Sequence, residues 1–130
     1  MSDVDGAEVV LSMPATPQLL RVARLTAAGL AGRLGFNFDE IEDVKIAVDE
    51  LCFALVGSKG RDGVLTVRYL LGDHELVIEG TGDFGPDGPD PNPSDLSAQI
   101  LASVVDEHEV GRDGEKVSFR LVKRRGTAAR

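Results

Sequence analysis

Apolar residues change their spacing early in the chain, and the change predicts a strand followed by a helix. Residues 8–13, EVVLSM, form a short run with two adjacent β-branched valines, which is typical of a strand. From Thr16 onward the apolar residues recur three and four positions apart, which is the spacing of one helical stripe. Thr16 and Pro17 suit the N-cap and the first helical position, and Gly35 suits the residue beyond the C-terminus of this helix. The stripe consists of Leu20, Ala23, Ala27, Leu30, Ala31 and Leu34.

A second helix is predicted from about residues 37–39 to residue 55. Short polar side chains at its start can accept hydrogen bonds from free backbone N–H groups, and negative charge there suits the helix dipole. Its apolar stripe consists of Ile41, Val44, Val48, Leu51 and Leu55. The neighbouring row of the helix contains Ala47, Glu50 and Ala54, so Glu50 is expected beside the core between two small residues. A carboxylate in that position indicates the rim of a potential pocket.

The second half of the chain predicts a hairpin, a third helix and a last strand. Residues 64–79 alternate as two strands joined by a short turn. Eight of the fourteen residues in 80–93 are Gly or Pro, so we expect no regular structure there. A helix is predicted over 95–107 and a strand over 116–123. The order predicts an α+β fold, a two-layer sandwich whose helices cover one face of a mixed, mostly antiparallel sheet.

The length of the chain fits a single domain. Its 130 residues lie within the usual range for one domain. We expect an N-terminal tail over 1–7, one domain over 8–124, and a disordered basic tail over 125–130.

Composition excludes several classes of function. The net charge of −8 opposes a phosphate backbone, so direct nucleic-acid binding is not expected. The chain has no apolar run of membrane-spanning length, and its acidic N-terminus does not resemble a secretory signal, so we expect a cytoplasmic protein with no membrane contact. Cys52 is the only cysteine, and the two histidines have no metal-binding spacing, so no metal site is predicted. Cys52 and Phe53 are expected to be packing residues.

Two segments of the chain resemble a known family. They are PATPQLLRVARLTAAGLAGRLGF followed by FDEIEDVKIAVDEL (14–36 and 38–51), and the closing GEKVSFRLVKRR (114–125). They resemble the anti-sigma factor serine kinases of bacterial partner-switching systems (RsbW-like), which belong to the GHKL, or Bergerat-fold, ATPases. The resemblance covers about residues 10–124.

The resemblance implies a role in transcription regulation, of the kind used in stress responses. Such a protein holds a sigma factor away from RNA polymerase. It also phosphorylates a serine of an anti-anti-sigma partner, using ATP and magnesium. The resemblance further implies a homodimer.

The nucleotide motifs of the family are degenerate in this chain. By the resemblance, Glu50 stands at the general-base position. Ala54 stands where the family has the magnesium-binding asparagine, and a methyl group offers no oxygen to that cation. Gly80 stands at the adenine-reading aspartate, with Gly82 at the glycine that follows it. Glu79, one residue earlier, should face the opposite side of its strand.

The glycine-rich turn that receives phosphates in the family is replaced by residues 94–97, SDLS. Both glycines are absent, and Asp95 adds negative charge where a triphosphate would lie. Together with Ala54 and Gly80, this third departure predicts weak or lost nucleotide binding.

The family's partner-binding surface maps onto the first helix. The resemblance places the arginine that contacts both protein partners at Arg24, beside Arg21 and Leu25. Arginine next to exposed apolar side chains is a typical hot-spot composition. The alternative is a solvated helix face with no partner.

Three functions remain open from the sequence. The first is an anti-sigma factor that sequesters an alternative sigma factor and is released by an anti-anti-sigma partner. The second is an active ATP-dependent serine kinase with an altered metal site. The third is a ligand sensor whose vacated pocket, around Ala47, Ala54 and Gly80, binds another metabolite. Phosphate transfer that depends on Glu50 would distinguish the second from the first.

Overall fold

The computed structural model describes residues 6–85 and 91–126 and has a central sheet covered by helices. The elements in chain order are β1 (Glu8–Pro14), a 3₁₀ turn (Pro17–Leu19), α1 (Leu20–Arg33), α2 (Phe38–Val56), β2 (Val64–Leu71), β3 (Glu75–Asp83), α3 (Asp95–Val104), β4 (Glu107–Asp113) and β5 (Lys116–Arg124).

The five strands form one sheet in the order β1-β2-β3-β5-β4. Every neighbouring pair in the described residues is antiparallel, so the expected parallel contribution to the sheet is absent there. The predicted α+β two-layer sandwich is confirmed. Among the described residues, no helix has the length and apolar character needed to span a membrane.

The core lies between the helices and one face of the sheet. Strand alternation places Leu65, Val67 and Tyr69 of β2 on that face, and all three are fully buried. The Tyr69 hydroxyl donates a hydrogen bond of 2.8 Å to the Ala23 carbonyl oxygen, which ties β2 to α1. The small buried residues of α1, including Ala23 and Ala27, allow α1 to pack closely against α2.

The first turn of α2 is fixed by a capping box. The Asn37 side chain accepts a hydrogen bond of 2.8 Å from the Glu40 backbone N–H, and the Glu40 side chain accepts one of 2.8 Å from the Asn37 backbone N–H. This reciprocal pair satisfies donors that a helix leaves free at its N-terminus. It fixes the start of the helix that carries Glu50 and Ala54.

Side chains on the opposite face of the sheet form ion pairs between strands. Arg68 Nε lies 2.7 Å from Glu8 Oε2, and Arg68 Nη1 lies 3.5 Å from Glu79 Oε1. Arg120 Nε lies 3.6 Å from Glu79 Oε2, and Arg120 also pairs with Glu107 at 4.0 Å. Positive and negative side chains therefore alternate across this face, from β1 to β4.

The expectation that 80–93 has no regular structure is wrong for its first four residues. β3 continues to Asp83, although it contains Gly80 and Gly82. A Cβ at Gly80 would collide with the Phe119 ring, and one at Gly82 with the Phe84 ring. The aromatic rings therefore occupy the space that side chains would fill, and the glycines fit a strand for that reason. Residues 86–90 of the predicted loop lie outside the described residues.

The third helix is shorter than predicted, and the strand after it was missed. α3 ends at Val104, because Val105 is extended (φ −130°, ψ 162°), and β4 begins at Glu107. β4 is an edge strand whose residues are mostly polar, so its sequence, EHEVGRD, has no alternation of apolar residues to mark it.

Hydrogen bonds extend slightly beyond both predicted domain boundaries. The Gly6 N–H donates to the Leu71 carbonyl at 2.7 Å. Arg125, placed by the sequence in a disordered tail, donates from its backbone to the His74 carbonyl at 2.7 Å and from Nη1 to the Leu34 carbonyl at 3.0 Å. The rest of the predicted tails, 1–5 and 127–130, lies outside the described residues.

Candidate functional site

Glu50 lies where α2 meets α3. The Ser97 hydroxyl donates a hydrogen bond of 2.5 Å to Glu50 Oε1, and both side chains are partly buried. The Ser94 side chain caps α3 by accepting from the Ser97 backbone N–H at 3.1 Å. The cap and the Ser97–Glu50 bond together place the start of α3 against the middle of α2. The Glu50 carboxylate therefore accepts a hydrogen bond from a serine hydroxyl of the same chain.

The two glycines of the degenerate adenine motif face the helices. Gly80 and Gly82 occupy alternate, buried positions of β3, and the rings of Phe119 and Phe84 lie against them. Glu79 points to the opposite face, as predicted, where it pairs with Arg68 and Arg120. The carboxylate next to this motif is therefore turned away from the helix side of β3.

Asp83 lies beyond the two glycines of this motif, in the unbroken register of β3. The ladder between β3 and β5 is continuous, with Gly82 opposite Val117 and Asp83 opposite Lys116. Asp83 is exposed and lies on the same face as Glu79, since the two are four residues apart.

The side chains at the predicted nucleotide positions do not fit magnesium and ATP. Ala54 is partly buried, packs against the core and has no oxygen. Ser94 uses its side chain as a helix cap, and Asp95 places an exposed carboxylate in the first turn of α3. In the part of the chain that the structure describes, no three His, Cys, Asp or Glu side chains form a metal-binding group.

A second group of charged and aromatic side chains lies on the outer surface of α1 and α2. Arg24 Nη1 lies 3.1 Å from Asp49 Oδ2. These two side chains line an open groove of about 440 Å³ together with Arg21, Phe53 and the residues around Pro17. The groove joins cationic, anionic and aromatic side chains at the surface.

Exposed apolar side chains accompany this groove. Phe53, which lines it, is 52% exposed, and Leu25 of α1 is 56% exposed. The expectation that Phe53 packs in the core is therefore wrong, whereas Cys52 is fully buried as expected. Residues 52 and 53 are neighbours on a helix and point about 100° apart, so one reaches the core and the other the solvent.

Known relatives of the chain are serine-protein kinases named RsbW. The protein of Bacillus pumilus (strain SAFR-032) is 35% identical over 104 residues, which are 76% of this chain and 64% of the relative. The protein of Listeria monocytogenes serotype 4a (strain HCC23) is 32% identical over 111 residues, which are 83% of this chain and 65% of the relative. Over most of its own length the chain is similar to these RsbW proteins.

A third relative, from Bacillus subtilis (strain 168), is 34% identical over 80 residues, which cover 58% of this chain and 50% of the relative. No family model matches the chain. This RsbW-like chain spans less than two-thirds of the length of these relatives, and the kinase activity in their name is stated for those proteins.

The predicted site residues of this RsbW-like chain lie in two places. Arg21 and Arg24 line one groove, with Leu25 exposed on the same helix. Glu50 instead contacts α3 through Ser97, and Gly80 lies against Phe119 in the sheet layer.

Sequence reasoning missed three contributors to these places. Asp49 and Ser97 were not assigned contacts, because their partners are 25 and 47 positions away in the chain. Phe84 lies in the segment for which the sequence predicts no regular structure, so no contact with Gly82 is predicted for it. The adjacent acids at 49 and 50 were the available signal, because two neighbouring carboxylates on a helix point in different directions and meet different surroundings.

Proposed function

We propose that the chain is an anti-sigma factor that binds and sequesters an alternative sigma factor. The observation that supports this most is the Arg24 groove, in which two arginines stand beside the exposed Phe53 on a protein of net charge −8. Similarity to the RsbW proteins supports this class of partner. Arginine and aromatic side chains are enriched among the residues that dominate protein interfaces.

The proposed mechanism is steric. A sigma factor bound over α1, at Arg24, Arg21 and Leu25, cannot present the same surface to RNA polymerase. An anti-anti-sigma protein that uses an overlapping part of α1 would release it. The protein would act in the cytoplasm as a homodimer and would contact proteins rather than nucleic acid.

The proposal includes weak or lost ATP binding. Ala54 has no oxygen for magnesium, and aromatic rings lie against Gly80 and Gly82. The same rings reduce support for a sensor that places another metabolite in this pocket. Regulation would then depend on exchange of protein partners.

The test is direct binding to recombinant sigma factors of the source organism, measured by biolayer interferometry without nucleotide. Arg24→Glu should weaken binding at least about tenfold, because it puts a negative charge at the centre of the interface. Arg33→Glu is the matched control, since it makes the same change at an exposed position in the last turn of α1. Equal binding by the two variants would contradict the assigned surface, and no sigma factor bound by the wild-type chain would contradict the function.

An active serine kinase is the second candidate, and one contact favours it. The Ser97 hydroxyl donates a hydrogen bond of 2.5 Å to Glu50 Oε1, so this carboxylate is within reach of a hydroxyl group, as a general base must be. A kinase of this kind would transfer phosphate to a serine of the anti-anti-sigma protein, and Glu50→Ala would abolish the transfer. Unchanged transfer by that variant would remove Glu50 from the role of base.

A further inference from the structure

Arg24 is already paired within the free protein. The ion pair joins one nitrogen of Arg24, Nη1, to one oxygen of Asp49, Oδ2, at 3.1 Å. The side chains of Arg24 and Asp49 are 30% and 41% exposed, so the pair lies at the surface and is open to competition from solvent and from other anions.

The groove around this pair has a charge opposite to that of the whole chain. Arg21 and Arg24 contribute two positive charges, and Asp49 contributes one negative charge. A protein partner that approaches this groove with a carboxylate meets a guanidinium that already has an anionic neighbour. Binding would therefore exchange one carboxylate for another at Arg24.

Two features of the groove favour the partner's carboxylate over Asp49 at Arg24. A contact through one nitrogen and one oxygen lacks the second hydrogen bond of a two-point arginine–carboxylate pair, which is the stronger geometry. Phe53 lines the same groove, half-exposed, and offers apolar area that Asp49 does not cover. A partner segment with an acidic residue beside an apolar one can use both features.

We propose that Asp49 is an internal competitor for the acidic residue of the protein partner at Arg24. The partner's carboxylate displaces Asp49 from Arg24, and the neighbouring apolar side chain packs on Phe53. This inference rests on the proposed function, because the partner is the sigma factor that the chain sequesters. It adds a determinant of affinity, Asp49, that lies on the other helix of the groove.

The first test compares two alanine variants of α2. Asp49→Ala should tighten sigma-factor binding about two- to fivefold, the factor expected from loss of one half-exposed competing ion pair. Glu42→Ala is a closely matched control. Glu42 and Lys45 also pair at 3.1 Å on α2, with side chains 42% and 30% exposed, and removal of Glu42 changes the net charge equally. Unchanged binding by Asp49→Ala, or equal tightening by both variants, would overturn the proposal.

A double-mutant cycle then shows whether Asp49 acts through Arg24. In the Arg24→Ala background, Asp49→Ala should leave the remaining affinity unchanged, because no guanidinium is left to compete for. The same gain in both backgrounds would mean that Asp49 repels the partner by general charge, and the proposal would be wrong.

A test without the partner separates this inference from the proposed function. Phenylglyoxal modifies accessible guanidinium groups, and mass spectrometry of the free protein gives the rate at Arg24. That rate should rise about two- to fivefold in Asp49→Ala and stay unchanged in Glu42→Ala. An unchanged rate in Asp49→Ala would overturn the internal pairing even if the sigma factor binds.

The same phenylglyoxal reaction tests which molecule binds in the groove. Bound sigma factor should protect Arg24 from phenylglyoxal, whereas millimolar inorganic phosphate should not. Equal protection by phosphate would make the groove a general anion site and would contradict a protein partner. If the wild-type chain binds no sigma factor, the proposed function fails and this inference fails with it.

Discussion

At the scale of single residues, Glu50 and Ala54 lie one turn apart on α2 and offer different chemistry. Both lie on the row of α2 beside the core, as the sequence predicts. Glu50 retains a carboxylate in contact with a serine hydroxyl, and Ala54 provides only a methyl group. The positions follow from helical periodicity. The contact with Ser97 depends on how α3 packs, which periodicity does not determine.

At the same scale, the Cys52 thiol makes the free energy of unfolding depend on pH. Burial, with a smaller effect from the nearby negative charge of Asp49, raises the pKa of the Cys52 thiol to about 12 from an ordinary value of 9.0. Between these values the unfolded chain releases a proton that the folded chain keeps. The free energy of unfolding should therefore fall as pH rises above about 9, by up to ~1.4 kcal/mol per pH unit for this group.

Urea denaturation at pH 8, 9 and 10 would measure this slope. The Cys52→Ala variant should show a shallower slope, but one that is still present, because burial also raises the pKa of Tyr69. Identical slopes in the two proteins would show that the Cys52 thiol does not titrate in this way.

At the scale of elements, most helices and strands follow from the local pattern of apolar residues, whereas the end of β3 and the whole of β4 do not. α1, α2, β2 and β5 carry clear apolar stripes or alternation and lie close to where the sequence puts them. β3 continues through Gly80 and Gly82 because aromatic rings cover them, Phe119 from β5 at Gly80 and Phe84, just past the end of β3, at Gly82. β4 is polar and is defined by its pairing with β5, a contact between distant segments that single-strand periodicity does not encode.

Two glycine substitutions test the packing of β3. Gly80→Ala should lower the free energy of unfolding by about 1–3 kcal/mol, because the new methyl group collides with the Phe119 ring. Gly29→Ala is the control, because a Cβ there has open space on a helix and should raise the free energy of unfolding by about 0.5–1 kcal/mol. Urea denaturation measures both, and a Gly80→Ala protein as stable as wild type would contradict the ring contact.

At the scale of the whole molecule, a two-layer fold carries side chains with no magnesium-binding oxygen at Ala54 and no carboxylate at Gly80. The family and the two-layer architecture were predictable, because the resemblance covers most of the chain and the elements occur in the expected order. The Arg24–Asp49 pair and the Phe119 ring against Gly80 were not predictable, since each joins residues that only tertiary packing brings together.

Calorimetric titration with ATP and magnesium tests the nucleotide site. The wild-type chain should give no binding heat at micromolar ATP, because its side chains supply no magnesium ligand at Ala54 and leave little space at Gly80. The Ala54→Asn variant should also be silent, since one restored oxygen does not replace the missing adenine and phosphate contacts. Micromolar binding by the wild-type chain would contradict this and would favour the kinase candidate.

The central claim is that the chain sequesters a sigma factor without nucleotide. The most direct measurement is fluorescence anisotropy of a labelled sigma factor bound to core RNA polymerase, titrated with the nucleotide-free chain. The account predicts that the chain displaces the sigma factor from the core, with a midpoint that ATP and magnesium do not change. No displacement, or displacement only when ATP and magnesium are present, would contradict it.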